Sequence, residues 1–337
     1  MGTTWSDSSG NNFGIEGGKN WKTIAMSSDG SKLTAGEYKG HLYTSVNSGV
    51  TWIDRSTSDS VIEGDKTWQS IAMSSDGSKL AAVTWRGHLY TSADSGTTWI
   101  DRSTRGSGIR GDKTWQSIAM SSNGSKLAAV TLRGHLYTST DSGATWIDRS
   151  THDSAIGGDK LWKSITMSSD GSKLVAVTNL GYLYTSMDGG VTWKNRSTKD
   201  IVIGGYKTWE SIAMSSDGSK LVAGDDEHLY TSTNGGFTWR NLNAIDSAIW
   251  GYKTWDSIAM SSDGSKLATI GNGHLYISTN SSASWTKRRD IYDSETNWGS
   301  SWKSITMSSD GSKLAAIGGR YLYTSVDLGV SWTELSR

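Results

Sequence analysis

The 337-residue sequence contains no cysteine and no proline, and it has only two phenylalanines. Without cysteine, the chain can form no disulfide and offers no thiolate chemistry, and the redox compartment stays undetermined. The formal charge is zero, because 33 lysines and arginines balance 33 aspartates and glutamates. Nucleic-acid binding needs a clustered excess of positive charge, so we expect no nucleic-acid partner.

Long apolar runs are missing as well. No run approaches the roughly 20 residues that a transmembrane helix needs, so we expect no membrane insertion. The first residues, MGTTWSDSSGNNFG, lack a basic stretch followed by an apolar core. We therefore expect no signal peptide and a soluble chain, cytoplasmic or secreted. In the absence of proline, 40 glycines indicate many tight turns built with Asn, Asp and Ser.

The sequence is dominated by repetition. The phrase W-x-S/T-I-A/T-M-S-S-D/N-G-S-K-L recurs every 46 or 47 residues. The seven units begin near Trp21, Trp68, Trp115, Trp162, Trp209, Trp255 and Trp302. Each unit contains four short strand-like runs separated by turn signals, which in the second unit are residues 68–74, 79–84, 88–92 and 98–103.

The pattern within a run indicates how the sheets are arranged. Simple alternation in residues 68–74 puts apolar side chains on both faces of the strand, as expected for a sheet covered on both sides. One unit cannot bury both faces alone, so the units must stack. We predict an all-β fold: a seven-bladed β-propeller of four-stranded antiparallel blades, one domain over residues 1–337. A linear β-solenoid is the alternative, although its repeats are usually much shorter.

A second phrase, S-x-D-x-G-x-T/S-W, recurs between the third and fourth runs. It occurs at residues 92–99, 139–146, 186–193 and 325–332, with Asn for Asp at 45–52 and 232–239, and in degraded form at 278–285. The phrase resembles the Asp-box, or BNR repeat, of sialidase-type propellers, and the resemblance covers nearly the whole chain. We expect the aspartate to cap its own turn and the tryptophan to anchor it by burial. The residues with this expected structural role are Asp94, Trp99, Asp141, Trp146, Asp188, Trp193, Asp327 and Trp332.

The chain ends supply one fourth strand too many. Residues 1–20 resemble a spare fourth strand and a connector, yet the C-terminal SWTELSR supplies a fourth strand as well. We expect the C-terminal strand to stay in its own blade, because its short connection costs little closure entropy. The spare strand would then be loose or pair with another copy, giving a monomer or a weak oligomer.

Differences between units indicate where a ligand binds. The first-to-second and third-to-fourth turns hardly change, whereas the second-to-third loops and the connections between units differ in charge and bulk. Antiparallel strands place the two variable sets on one face, where binding usually resides. Off-pattern aromatic and basic side chains in these loops suit a sugar, although each ring could instead fill a gap between blades. The candidate ligand-binding residues are Trp85, Arg86, Trp250, Trp298, Tyr38 and Arg133.

The resemblance to sialidases does not extend to their chemistry. Those enzymes carry an Arg-Ile-Pro motif, which a chain without proline cannot contain, and no glutamate here repeats the setting of their nucleophile pair. We predict no catalytic residues, no metal and no cofactor; five histidines that open third runs are expected to be hydrogen-bonded. Near-identical units suit a non-catalytic, multivalent, lectin-like propeller that binds glycans or glycoconjugates. A protein–protein interaction scaffold and a self-assembling structural propeller are the alternatives.

Overall fold

The computed structural model describes residue 15 and residues 18–104, 106–109, 111–198, 200–288 and 302–335. Within these ranges 28 strands form seven four-stranded antiparallel sheets, and every sheet keeps its strands in chain order. The sheets are the blades of a β-propeller, which confirms the predicted fold. A single 3₁₀ turn, Arg149–Thr151, is the helical element of the described chain.

The strand bounds repeat from blade to blade. First strands span Trp21–Met26, Trp68–Met73, Trp115–Met120, Trp162–Met167, Trp209–Met214, Trp255–Met260 and Trp302–Met307. Second strands span Leu33–Glu37, Leu80–Thr84, Leu127–Thr131, Leu174–Thr178, Leu221–Asp225, Leu267–Gly271 and Leu314–Gly318. Third strands span Leu42–Ser45, Leu89–Ser92, Leu136–Ser139, Leu183–Ser186, Leu229–Ser232, His274–Ser278 and Tyr321–Ser325. Fourth strands span Ile53–Asp54, Ile100–Asp101, Ile147–Asp148, Lys194–Asn195, Arg240–Asn241, Thr286–Lys287 and Thr333–Glu334.

The fourth strands are shorter than the sequence predicted. In the second blade only Ile100–Asp101 pairs with the third strand, whereas the predicted run covers residues 98–103. Asp101 ends the strand, because its Oδ1 accepts a hydrogen bond from the Ser103 N–H (2.8 Å) and turns the chain away.

Each first strand carries a β-bulge immediately after its tryptophan. In the second blade Trp68 pairs with Thr84 and Ser70 with Val83, so Gln69 has no partner in the ladder. All seven first strands share this irregularity. The predicted simple alternation was therefore wrong at this position, since a bulge re-aims the side chain of the extra residue.

The hydrophobic core lies between neighbouring blades. Val83 and Leu89 of the second blade pack in one buried cluster with Trp115, Ile118 and Tyr137 of the third. In every blade the first-strand tryptophan contacts a third-strand tyrosine, with ring centroids 5.4–5.7 Å apart. Every residue of the second strands is buried, as expected for strands covered on both faces.

The ring closes between the seventh and first blades. Ile317 and Leu322 of the seventh blade share a buried cluster with Trp21 and Tyr43 of the first. The C-terminal strand Thr333–Glu334 pairs with the third strand and completes the seventh blade, as we expected. The spare fourth strand predicted near the N-terminus lies outside the described residues.

The nearly invariant first-to-second turns join the blades into a cycle of backbone hydrogen bonds. The Ser28 N–H donates to the Ser75 carbonyl of the next blade, and the bond repeats around the ring until the Ser309 N–H donates to the Ser28 carbonyl, with N···O distances of 2.8–2.9 Å. The members are Ser28, Ser75, Ser122, Ser169, Ser216, Ser262 and Ser309. Each turn therefore donates a hydrogen bond to the turn of one neighbouring blade and accepts one from the turn of the other. Both bonds require the same backbone geometry, which explains why the turn sequence S-S-D/N-G-S-K hardly varies.

The third-to-fourth turns lie beside these turns on the same face, which we call the constant face. The Ser95 N–H donates to the Ser78 carbonyl of the first-to-second turn (2.8 Å). Asp94 Oδ1 accepts from the Thr98 N–H (2.9 Å) and the Ser92 hydroxyl (2.8 Å). The buried Trp99 indole donates to the Gly96 carbonyl (3.1 Å). The Asp94 carboxylate and the Trp99 indole N–H thus make these hydrogen bonds within their own turn.

Candidate functional site

The second-to-third loops meet the ends of the inter-blade connections on the opposite face, which we call the variable face. Gly87 and Lys113 exchange two backbone hydrogen bonds of 3.0 Å, so the loop of the second blade is joined to the start of the third. Gly40 pairs with Lys66, and Gly181 with Lys207, in the same way. The blade interfaces therefore share a backbone frame that carries different side chains.

A cavity of about 510 Å³ opens on the variable face between the second and third blades. Trp85 and Arg86 line it from one blade, Leu132 and Arg133 from the next, and Asp112 from the connection between them. The remaining lining residues are Lys113, Thr114, Thr131 and His135. Three of the six candidate residues, Trp85, Arg86 and Arg133, thus line one cavity, which we call the inter-blade pocket.

Backbone contacts hold the walls of the inter-blade pocket. The Trp85 N–H donates to the Thr67 carbonyl (2.8 Å), and the Leu132 N–H donates to the Thr114 carbonyl (2.7 Å). Arg86 adopts a left-handed conformation (φ +52°), which turns the chain sharply at the loop tip. The backbone of both pocket walls is therefore fixed by hydrogen bonds within the protein.

Histidines of the first three blades make hydrogen bonds to carboxylates. His88 Nδ1 lies 2.5 Å from Asp101 Oδ2, and its Nε2 lies 3.0 Å from Asp112 Oδ1. His41 and His135 make the Nδ1 contact with Asp54 (2.6 Å) and Asp148 (2.7 Å), respectively. These rings are hydrogen-bonded, as we expected, and His88 orients the carboxylate of Asp112 at the pocket.

The other candidate residues lie elsewhere. Tyr38 lines a second cavity, of about 560 Å³, together with Trp85. Trp250 is 73% exposed, in the connection between the fifth and sixth blades, and is not among the lining residues of either cavity. Trp298 lies outside the described residues.

The second cavity lies on the propeller axis, which we call the axial cavity. Its lining comes from four consecutive blades, an arrangement that only the centre of the ring allows. Lys22, Gln69, Gln116 and Lys163, the bulge residues of the first four blades, line it. Sequence reasoning missed them, although this position of the repeat changes between Lys, Gln, Glu and Asp while its neighbours stay constant.

The connections between blades are less variable in structure than in sequence. Asp153 Oδ2 accepts from the Trp193 N–H of the next blade (2.6 Å), while its Oδ1 accepts from the Ala155 N–H (2.8 Å). An isoleucine follows in each described connection and is at most 1% exposed: Ile15, Ile62, Ile109, Ile156, Ile203 and Ile249. The part of each connection up to the isoleucine thus packs against the blades. Only the residues after it, next to the second-to-third loop, can change in sequence without disturbing this packing.

Exposed aromatic side chains distinguish the fourth and fifth blade interfaces. Tyr206 and Tyr252 are each 76% exposed and replace the aspartates found at this position in earlier connections, such as Asp112. Tyr206 packs against Tyr182, with ring centroids 5.0 Å apart. Comparing the residue before the lysine of each connection would have revealed this difference between units.

Among the described residues, no group of three or more His, Asp or Glu side chains is arranged to hold a metal ion. No helix of the described chain is long and apolar enough to cross a membrane.

The chain is a seven-bladed β-propeller, and solved propellers share its fold. A GH74 xyloglucanase from Xanthomonas campestris superposes with a TM-score of 0.73 and 12% identity, over 97% of this chain and 56% of that enzyme. An ancestral GH74 enzyme gives 0.69 and 15%, over 99% and 48%. The structure described as YCF48 bound to D1 peptide gives 0.64 and 14%, over 93% and 95%.

These similarities define the fold and leave the function open. The chain spans about half the length of the two GH74 enzymes. No protein-family model matches the sequence, and no curated protein sequence matches it. Enzymes and a peptide-bound protein share this architecture, so function has to be argued from the site.

Proposed function

We propose that the protein is a non-catalytic, lectin-like propeller and that the inter-blade pocket is a glycan site. The convergence of Trp85, Arg86 and Arg133 on one cavity carries the proposal. An indole offers an apolar face to the C–H face of a sugar ring, and guanidinium groups donate to hydroxyl oxygens. Asp112 supplies an acceptor for a sugar hydroxyl, in a position set by His88.

The same lining argues for binding without turnover. Glycoside hydrolysis usually needs two carboxyl groups, about 5–10 Å apart, on either side of the scissile bond. Asp112 is the one carboxylate among the residues that line the inter-blade pocket, and it already contacts His88. A single exposed carboxylate can orient a hydroxyl but cannot act as acid and nucleophile at once.

The repeated backbone frame supports several related sites. The Gly–Lys pairing also occurs at Gly40–Lys66 and Gly181–Lys207, so other interfaces present similar walls with different side chains. Weak sites on one rigid disc would together bind a glycan-bearing surface far more tightly than one site alone. We further propose that the third-to-fourth turns are Asp-box repeats whose aspartates only stabilise the turn.

A glycan array probed with the full chain, followed by calorimetry with the best ligand, tests the proposal. Trp85→Ala should weaken binding about tenfold, since a stacked ring contributes about 1.5 kcal/mol. Trp250→Ala, which removes an exposed indole from the connection between the fifth and sixth blades, is the matched control and should stay within about twofold, because Trp250 does not line the inter-blade pocket. Wild-type affinity in Trp85→Ala, or no binding across a broad array, would refute the proposal.

A protein-interaction scaffold is the second candidate, and a specific observation favours it. Leu180, Tyr206, Trp250 and Tyr252, from the fourth and fifth interfaces, are 63–76% exposed. Exposed aromatic side chains are typical anchors of protein interfaces. Trp250→Ala should abolish binding of such a partner and Trp85→Ala should leave it unchanged, which is the reverse of the pattern expected for a glycan. Binding should also survive glycosidase treatment of the partner. Assembly through the N-terminal strand would appear as concentration-dependent mass in light scattering.

A further inference from the structure

The first strands bring one side chain from every blade to the propeller axis. Neighbouring first strands touch directly: the Ile118 N–H donates to the Ser70 hydroxyl of the preceding blade (3.3 Å), and the Ile165 N–H donates to that of Ser117 (3.3 Å). These strands are therefore the innermost of each blade. The bulge residues, in order around the axis, are Lys22, Gln69, Gln116, Lys163, Glu210, Asp256 and Lys303.

The mutual effects of these side chains on their pKa values are those expected of groups that face one another across the axis. The Lys22 side chain is exposed at the axial cavity, yet desolvation by the surrounding protein lowers its pKa. The ammonium groups of Lys163 and Lys303 lower this pKa further, and the carboxylates of Asp256 and Glu210 oppose them. Burial raises the pKa of Asp256, and the Glu210 carboxylate adds to the effect. Lys22 of the first blade thus interacts with Lys163 of the fourth and Glu210 of the fifth, which are not adjacent to it in the ring.

The charges are unevenly distributed around the axis. On one side Lys163 forms an ion pair with Glu210 (2.6 Å), and Asp256 follows on the next blade. On the other side Lys303 and Lys22 are neighbours, and the neutral Gln69 and Gln116 come next. Within the described ranges, no carboxylate oxygen lies within 4.0 Å of the Lys22 or Lys303 ammonium. One half of the ring is therefore a cationic sector with amide groups beside it.

We infer that the axial cavity binds an oxyanion, a carboxylate or phosphate group, between the Lys22 ammonium and the side-chain amides of Gln69 and Gln116. Lys303, on the blade next to Lys22 but outside the cavity lining, adds positive charge nearby. The volume of about 560 Å³ accommodates a small molecule. Tyr38, Trp85, Leu132 and Leu161 line the same cavity, so an apolar group attached to the anion would also be buried. A bound anion would offset the repulsion between the two neighbouring ammonium groups.

The inference is independent of the glycan site. Trp85 and Leu132 line both cavities, but the charged groups of the axial cavity do not line the inter-blade pocket. A neutral sugar and a small anion can therefore be assayed separately. Loss of one activity without the other would show which of the two proposals fails.

Calorimetry at low ionic strength, with the full chain, tests the inference. Phenylacetate and inorganic phosphate are the two probes, and phenylacetamide, which has the same shape as phenylacetate without its charge, is the control ligand. At least one anion should bind with a millimolar or lower Kd, and the anion that binds more tightly identifies the class. Phenylacetamide should bind at least about tenfold more weakly than phenylacetate if the ligand is a carboxylate, since hydrogen bonds to charged groups dominate.

Variants assign the binding to the axial cavity. Lys22→Gln should weaken binding about tenfold or more, and Glu210→Gln should strengthen it by removing a negative charge. Lys194→Gln, at an exposed position of an outer strand, is the matched charge control and should change nothing. If thermal unfolding shows that Lys22→Gln does not fold, Lys303→Gln replaces it. No binding of either anion, or wild-type affinity in the folded Lys22→Gln or Lys303→Gln variant, would overturn the inference.

Discussion

Replacing Asp153 with alanine should destabilise the protein by removing a contact between two blades. Its carboxylate accepts from the Trp193 N–H of the fourth blade and from the Ala155 N–H of the connection. Equivalent aspartates hold the next tryptophan N–H in three other connections: Asp59, Asp200 and Asp246. The substitution leaves the Trp193 N–H without its acceptor, beside an indole that is 4% exposed.

The expected cost follows from the two lost hydrogen bonds. Each hydrogen bond to a charged group contributes about 1.5–3 kcal/mol. Asp153 is half-buried, so each of its two bonds should contribute the lower value. Asp153→Ala should therefore lower the free energy of unfolding by about 3 kcal/mol. Asp153→Asn keeps one acceptor oxygen and should lose about half as much. Asp159→Ala, an exposed carboxylate of the same connection, should change the free energy of unfolding by less than about 0.5 kcal/mol.

Urea unfolding of the three variants, followed by circular dichroism, measures these differences. The third blade already supports the reasoning: Gly106 stands where the aspartate is expected, and the Ser107 carbonyl accepts from the Trp146 N–H instead (2.7 Å). The tryptophan N–H thus keeps an acceptor even where the side chain is missing. A stability of Asp153→Ala equal to that of Asp159→Ala would show that the contact does not hold the blades together.

Two further predictions concern the turns. A serine hydroxyl, followed by backbone N–H groups, holds the pKa of five turn carboxylates at about 2, below the ordinary 3.8: Asp29, Asp76, Asp217, Asp263 and Asp310. A carboxylate whose pKa is lowered in the folded state stabilises the fold above the unfolded-state pKa, and this stabilisation is lost as the pH falls through the folded-state pKa. The melting temperature should therefore drop between about pH 4 and pH 2, although each exposed group contributes less than about 1 kcal/mol. A melting temperature that stays constant over this range would contradict the prediction. Urea unfolding should show that Gly108→Ala destabilises the protein far more than Gly111→Ala. Both glycines have positive φ (+87° and +66°), so the backbone strain is similar. A Cβ at residue 108 would overlap the Trp146 carbonyl oxygen, whereas a Cβ at residue 111 would face open space. Equal losses would show that the backbone can move aside.

The fold could be predicted because the same strand and turn pattern occurs seven times in the chain. Runs such as those after Trp68 and Leu80 are too short to identify a strand alone, but seven copies in phase with constant turn signals determine the blade count. Grouping the loops by how much they change also brought Trp85, Arg86 and Arg133 together on one face. Their convergence on one pocket required the three-dimensional pairing of Gly87 with Lys113, which joins the two blades.

Other features could not be derived by alternation. The bulge after each tryptophan shifts the register, so the direction of the Gln69 side chain depends on a backbone irregularity that no residue type signals. The contact of Asp153 with the next blade spans 40 residues, and its partner is a backbone N–H. A backbone group has no residue signature, so comparison of sequences could reveal the constant aspartate but not what it binds.

The constant face explains why departures from the repeat are informative. Its cycle of serine hydrogen bonds uses only backbone atoms, so closure of the ring places no demand on the bulge residues. All seven first strands share one bulge, and the tryptophan before it is almost fully buried in each. Identical backbones give no structural reason for Lys22 in one blade and Asp256 in another. The charge asymmetry therefore originates at the axis itself, where the seven side chains meet. The Lys163–Glu210 ion pair accounts for part of it, and the anion inferred above would account for the cationic sector that remains.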